Sequence, residues 1–171
     1  MPDALIPTEQ ELRAVLGRNS EYYIRLWEPI INGTSRSFGF NIAAFLACTL
    51  WMGYRKVYRA MFILYAVVVA EALIEDEIFL NVLKEQGPPQ STVLIGGLVV
   101  GAVCGFLANR LYLSHVLGII GDVRSQELDE HARLRELERR GGTSITSAVG
   151  FFVLFVLISM LLEMALFGGP A

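Results

Sequence analysis

The sequence predicts an all-α integral membrane protein, and three observations carry that prediction. The 171 residues are 54% apolar and only 18% charged, where a water-soluble domain carries about 25% charged residues. Charge is missing from three long stretches: 18 residues between Arg36 and Arg55, 24 between Glu85 and Arg110, and 22 between Arg140 and Glu163. Mean hydropathy is +0.50, and a helix needs about 20 mainly apolar residues to cross a bilayer. At this length one domain is expected.

The same figures exclude several classes. With 14 Lys+Arg against 17 Asp+Glu the net charge is −3, so the chain has no overall basic footprint for nucleic acid. Cys48 and Cys104 lie in apolar runs without C-x-x-C spacing. They read as small buried hydrophobes, not as a disulfide or metal pair. Asp3, Glu9 and Glu11 stand where a secretory signal would be positive, so a retained membrane protein is expected.

Taken in order, residues 1–36 form an N-terminal unit of amphipathic and interfacial helices. Thr8 and Glu11 make a T-x-x-E capping box that predicts a helix from Glu9 to about Gly17. EYYIRLWEPII (Glu21–Ile31) mixes Tyr and Trp with charge, a headgroup-level pattern, and is expected to stop near Pro29 and the Asn32-Gly33 turn. Residues 37–171 form the helical membrane domain. Its first apolar run, 38–53, ends at Arg55, Lys56 and Arg59. A second helix begins at Ala60 and carries Glu71, Glu75, Asp76 and Glu77 before Gly87-Pro88-Pro89 breaks it after about Leu83. The third run, 91–109, is free of charge, and a charged helical segment, 110–140, ends at Gly141-Gly142. Thr143 or Ser144 is expected to cap the last run, 145–167.

The basic residues choose between topologies. If 38–53 spans, the lead and the Arg55–Arg59 cluster face opposite sides. If it re-enters or lies at the interface, 13 of the 14 Lys/Arg share one face and only Lys84 lies on the other. The positive-inside rule favours the second arrangement. The expectation is therefore three transmembrane helices (60–80, 91–109 and 145–167), a re-entrant or interfacial helix at 38–53, a charged cytoplasmic helix within 110–140, and a cytoplasmic N-terminus.

EYYIRLW (Glu21–Trp27), FNIAAFLACTLWMGYRKVY (Phe40–Tyr58), NRLYLSHV (Asn109–Val116) and GGTS (Gly141–Ser144) form one pattern. It resembles a bacterial membrane family known as domain of unknown function 2628, most specifically in F-N-x-A-A-F followed by Y-R-K-x-Y. The resemblance runs from about Leu12 to Ser144. It implies a small, multi-pass protein of the bacterial inner membrane with a helical fold, and it supplies no catalytic residues.

Acid in an apolar setting is the most informative feature. With a rise of about 1.5 Å per residue, Glu71 lies roughly 18 Å beyond Arg59, inside or near the outer edge of the bilayer, and Glu75 shares its helix face. Glu163 falls late in the last run. Charges so placed are costly unless paired or hydrated. Glu71, Glu75, Asp76 and Glu163 are therefore candidates to line an ion path; the bland alternative is that Glu75–Glu77 are simply solvated. Gly97, Gly101 and Gly105, every fourth residue, make a ridge for close helix packing within the chain or between copies. The aromatic series Trp51, Tyr54, Tyr58, Phe62 and Tyr65 keeps helical phase across Arg55-Lys56 and favours continuous helix there.

Arg55, Lys56, Arg59 and Arg110 are positioned for anionic headgroups. Arg133, Arg135, Arg139 and Arg140 are available to phosphates, although a solvated helix with few apolar anchors (Leu128, Leu134, Leu137) is the plainer expectation for their segment. His115 and His131 lack ligand spacing, and the G-x-S-x-G, H-E-x-x-H and P-loop signatures are absent. No cofactor or metal is expected.

The leading functional expectation is non-enzymatic: a homo-oligomeric channel or pore-forming effector, among membrane lipids, controlled by a cytoplasmic ligand or partner such as a nucleotide or nucleic acid. The alternatives are a non-conducting scaffold that recruits a partner and a lipid-directed membrane enzyme.

Overall fold

The computed structural model describes residues 6–84 and 87–167, and among these it contains seven α-helices and no strand. The first, α1 (Glu9–Leu16), opens on the expected capping box. The Glu11 amide donates to Thr8 Oγ1 at 3.2 Å, and the Thr8 amide donates to Glu11 Oε2 at 2.8 Å. Next, α2 (Ser20–Ile31) buries Tyr23 and Trp27 and continues past Pro29 to Ile31.

Asn41 caps α3 (Ile42–Tyr54) by accepting from the Ala44 amide at 2.9 Å. This helix kinks at Ala47 and has 13 residues, a length of about 20 Å against a hydrocarbon layer of about 30 Å. The helix after it, α4 (Tyr58–Glu77), runs on through a π-helical turn, Ile78–Val82, close to the expected end. A single 35-residue helix, α5 (Gln90–Arg124), takes up the third apolar run and the first part of the charged segment. Then come α6 (Glu130–Arg140) and α7 (Ile145–Phe167). Of the two expected caps of α7, Ser144 acts: its Oγ accepts from the Ser147 amide at 3.1 Å.

The short α3 is the hub of the bundle, packing against α5, α7 and α4. This arrangement corrects two sequence expectations. The helix is not continuous across Arg55-Lys56: Lys56 adopts φ +59° and α4 restarts at Tyr58. Tertiary contacts hold the break, because the Lys56 ammonium donates to the Gly141 carbonyl at 2.5 Å and the Ser144 amide to the Tyr54 carbonyl at 2.9 Å. The cysteines are not free either. Packing of α3 on α5 places the Cα atoms of Cys48 and Cys104 5.9 Å apart, and their sulfurs are bonded.

A third correction concerns the charged segment. Instead of standing free in solvent, α6 docks on α1 with Leu137 fully buried. Its neighbour Glu11, 2% exposed, receives Arg124 at 2.6 Å and lies 3.9 Å from Arg133. Burial raises the Glu11 pKa, but the hydrogen bonds from Arg124 and Thr8 outweigh it and hold the carboxyl below its ordinary value. On the outer side of α6, Arg139 and Arg140 pull Glu136 down to about 2.

Apolar exposure is distributed unevenly. Val93, Leu94, Ile95 and Leu98 of α5, and Phe152, Val153, Leu157 and Met160 of α7, are all about half or more exposed. Two helical stretches among the described residues, Gln90–Arg124 and Glu130–Ala165, are long and apolar enough to cross a membrane. The acid-bearing α4 is not one of them.

Candidate functional site

The end of α4 that carries the acids borders two cavities. Tyr65 anchors the helix below them: its hydroxyl donates to the Phe155 carbonyl of α7 at 2.7 Å, and its ring stacks on Phe155 at 3.9 Å. Beyond that anchor, a cavity of about 520 Å³ has Asp76 and Glu163 in its walls, with Val69, Leu73 and Leu162. A second, of about 420 Å³, is lined by Glu71, Glu75 and Asp76 on one side and by Gly97 and Gly101 of α5 on another.

The structure thus gathers all four predicted acidic residues around two clefts that share Asp76. None of the four is in an ion pair among the described residues. Three or more metal-ligating side chains do not converge there. Unpaired carboxylates in a mainly apolar wall can hold hydrated cations or protons.

The glycine ridge is divided between two tasks. A Cβ on Gly101 would come within 2.8 Å of the Phe45 carbonyl oxygen, and one on Gly105 would strike the Phe40 ring. Both positions therefore serve packing inside the chain. Gly97 has nothing within 4 Å and leaves the cleft open.

The eight basic candidates do not make one site. Arg59 and Arg110 are exposed. Lys56 is bound to Gly141, Arg133 lies at Glu11, and Arg139 and Arg140 are both held by Glu136. Arg135 is exposed and outside every ion pair among the described residues.

Arg55 is different. It is 4% exposed and its guanidinium sits 4.8 Å from the Tyr23 ring, 5.2 Å from Tyr112 and 5.4 Å from Tyr54. All three lie within the range of cation–π attraction. Trp27 packs on Tyr23 and Tyr112 at 4.9 and 5.4 Å, and Trp51 meets Tyr112 at 5.9 Å. Burial raises the Tyr23 pKa, and the Arg55 charge offsets part of that rise.

Behind this aromatic box lies a buried amide pair. Asn41 Nδ2 donates to Asn109 Oδ1 at 2.8 Å, Asn109 Nδ2 to the Phe38 carbonyl at 2.9 Å, and the Asn41 amide to the Gly105 carbonyl at 2.9 Å. Sequence reasoning placed Arg55 at a headgroup but did not find the box. Residues 23, 55 and 112 have no common spacing, and only the docking of α2 and α3 on α5 joins them.

Residues 13–117 match the family model described as protein of unknown function (DUF2628). The chain belongs to this family. No curated protein and no solved structure matches it. The part matched to DUF2628 holds Tyr23, Asn41, Arg55, Asn109 and Tyr112, together with Glu71, Glu75 and Asp76; Glu163, α6 and α7 lie outside it. In this DUF2628 chain, EYYIRLW, F-N-x-A-A-F, Y-R-K-x-Y and NRLYL all meet at the aromatic box, and GGTS joins α6 to α7 beside the end of α1.

Proposed function

We propose that this is a non-enzymatic, multi-pass protein of the bacterial inner membrane whose copies assemble into a cation-conducting channel. The observation that carries the reading is the gathering of Glu71, Glu75, Asp76 and Glu163 on the walls of two clefts, unpaired among the described residues, at one end of an apolar bundle. Carboxylates so placed attract cations and repel anions. One chain of this size is too thin to enclose a water path, so the conducting form contains several copies and α4 faces their common axis. In this topology α5 and α7 span, α4 crosses beside them with its acids turned to the axis of the assembly and not to lipid, and α3 enters from the cytoplasmic side without crossing. The platform of α1, α2 and α6 lies in the cytoplasm, where a nucleotide, oligonucleotide or protein partner controls opening.

A second reading, a scaffold that does not conduct, draws on the same platform, because α6 offers Arg135 and other charged groups on a rigid, docked helix. Single-cysteine substitution at position 71 in a Cys48→Ser/Cys104→Ser background, followed by cross-linking in native membranes, separates the two. The channel reading expects Glu71→Cys copies to cross-link efficiently and an exposed position on the outer face of α5, such as Val99→Cys, to do so poorly. Equal or absent cross-linking at both positions contradicts it.

A further inference from the structure

A buried cation is normally paired, since stripping water from an ion costs several kcal/mol or more. Arg55 breaks that expectation. Its Nε and Nη1 are shut off from solvent with no hydrogen-bond partner, and it joins no ion pair among the described residues. The three tyrosine rings hold the guanidinium by their faces, and the Tyr23 and Tyr112 hydroxyls beside it add polar attraction without closing a hydrogen bond to Nε or Nη1. The Tyr112 hydroxyl and Trp27 Nε1, in the same box, are also buried without partners.

Beside the box lies a cavity of about 440 Å³ whose wall includes Arg55, Tyr22, Tyr54, Asn41 and Trp51. That volume is within the range of ligand sites, roughly 300–1,000 Å³. Its rim is apolar: Phe40 and Ile42, 40% and 66% exposed, border it. A positive guanidinium at a cavity with an apolar rim matches a phosphoryl group that carries an organic body: Nη2, the one guanidinium nitrogen not sealed from solvent, can donate a charge-assisted hydrogen bond to a phosphate oxygen.

We propose that this cavity binds one phosphate ester, with its phosphoryl oxygens on Arg55 and its organic part along Phe40 and Ile42. The ester is either the headgroup of a phospholipid or a soluble phosphate ester, and a lipid suits the apolar rim. The site stands independently of ion conduction. Ligand binding there would clamp α2 to α3, since Tyr22 and Tyr23 of α2 face Trp51, Tyr54 and Arg55 at the end of α3 across it.

Both tryptophans of the chain, Trp27 and Trp51, lie in the box, so intrinsic fluorescence reports on it. Full-length protein in an uncharged detergent is titrated with dihexanoyl phosphatidylglycerol and, separately, with glycerol 3-phosphate. A saturable spectral change is expected, at least tenfold weaker in Arg55→Gln and weakened in Arg55→Lys, which keeps the charge but loses the planar group that the tyrosine rings hold in place. Lys84→Gln, altered at an exposed basic residue outside every candidate site, is expected to bind like the unmodified protein. A response to the lipid alone assigns the site to a headgroup; a response to glycerol 3-phosphate assigns it to soluble esters. Circular dichroism and thermal melting establish that each variant is folded, and the Lys variant carries the test if the Gln variant unfolds. No saturable response to either compound, a response untouched by both Arg55 substitutions, or an equal loss in Lys84→Gln would overturn the proposal.

Discussion

Asn41 and Asn109, 68 positions apart, form a buried amide–amide hydrogen bond of 2.8 Å that locks the start of α3 to the middle of α5. Asn41 also caps its own helix, and Asn109 also donates to the Phe38 carbonyl. The pair fixes the height at which α3 sits on α5. That register places Cys48 against Cys104 and brings Arg55 to Tyr112.

Asn109→Ala leaves the Asn41 side-chain Nδ2 and the Phe38 carbonyl without their partner. Two buried groups orphaned in one step cost about 2–4 kcal/mol. Thermal unfolding followed by circular dichroism in detergent should show a clear fall in midpoint. An unchanged midpoint would mean that water satisfies these groups.

The Cys48–Cys104 bond closes a long loop, with a sequence separation of 56. Cross-links of this kind stabilise by about 2–4 kcal/mol, mainly by restricting the unfolded chain. Thiol-reactive polyethylene glycol should therefore leave the denatured, unreduced protein at its original mobility and add two units after reduction. Labelling without reductant would contradict the bond. The double Ser variant should fold but melt earlier.

Acid should release the N-terminal helix. Because the Glu11 pKa is lowered in the folded protein, its stabilising contribution is complete above the ordinary carboxylate value of 4.5 and is lost as pH falls through the lowered one. Proteolysis between α1 and α2 should be slow at pH 7 and 5 and accelerate below about 4.5. In Glu11→Gln, cleavage should be faster at neutral pH and nearly independent of pH. A parallel pH profile in the variant would assign the acid step to another group.

Glycine substitutions should differ sharply with position. A Cβ on Gly141 collides with the Val15 backbone, while one on Gly118 meets nothing within 4 Å. Gly141→Ala is expected to cost about 1–3 kcal/mol. Gly118→Ala, in the interior of α5, should be neutral or stabilising by up to about 1 kcal/mol. Comparable melting of the two variants would contradict the close packing of Gly141 on α1.

What could be read in advance was local. The Thr8–Glu11 cap, the Ser144 cap and the persistence of helix through the acids all follow from residues within a few positions of each other. Gathering Glu71 with Glu75 needed only helical spacing, but the union of Asp76 with Glu163 needed the packing of α4 on α7. The break at Lys56 was hidden because lysine carries no breaking signal; distant Gly141 and Ser144 hold that turn. Cys48 and Cys104 read as hydrophobes for the same reason, since their pairing depends on the register of α3 on α5. The box around Arg55 joins three helices whose aromatic residues looked, one segment at a time, like ordinary interfacial side chains.

Conduction is decided by ion flux through the purified full-length protein, reconstituted in liposomes with a potassium gradient. Cation-selective flux is expected in the unmodified protein, reduced about tenfold or more in Glu71→Gln/Glu163→Gln, with both proteins equally folded and incorporated. Flux no greater than in empty liposomes across the conditions that open the protein, or flux indifferent to both carboxylates, would contradict it.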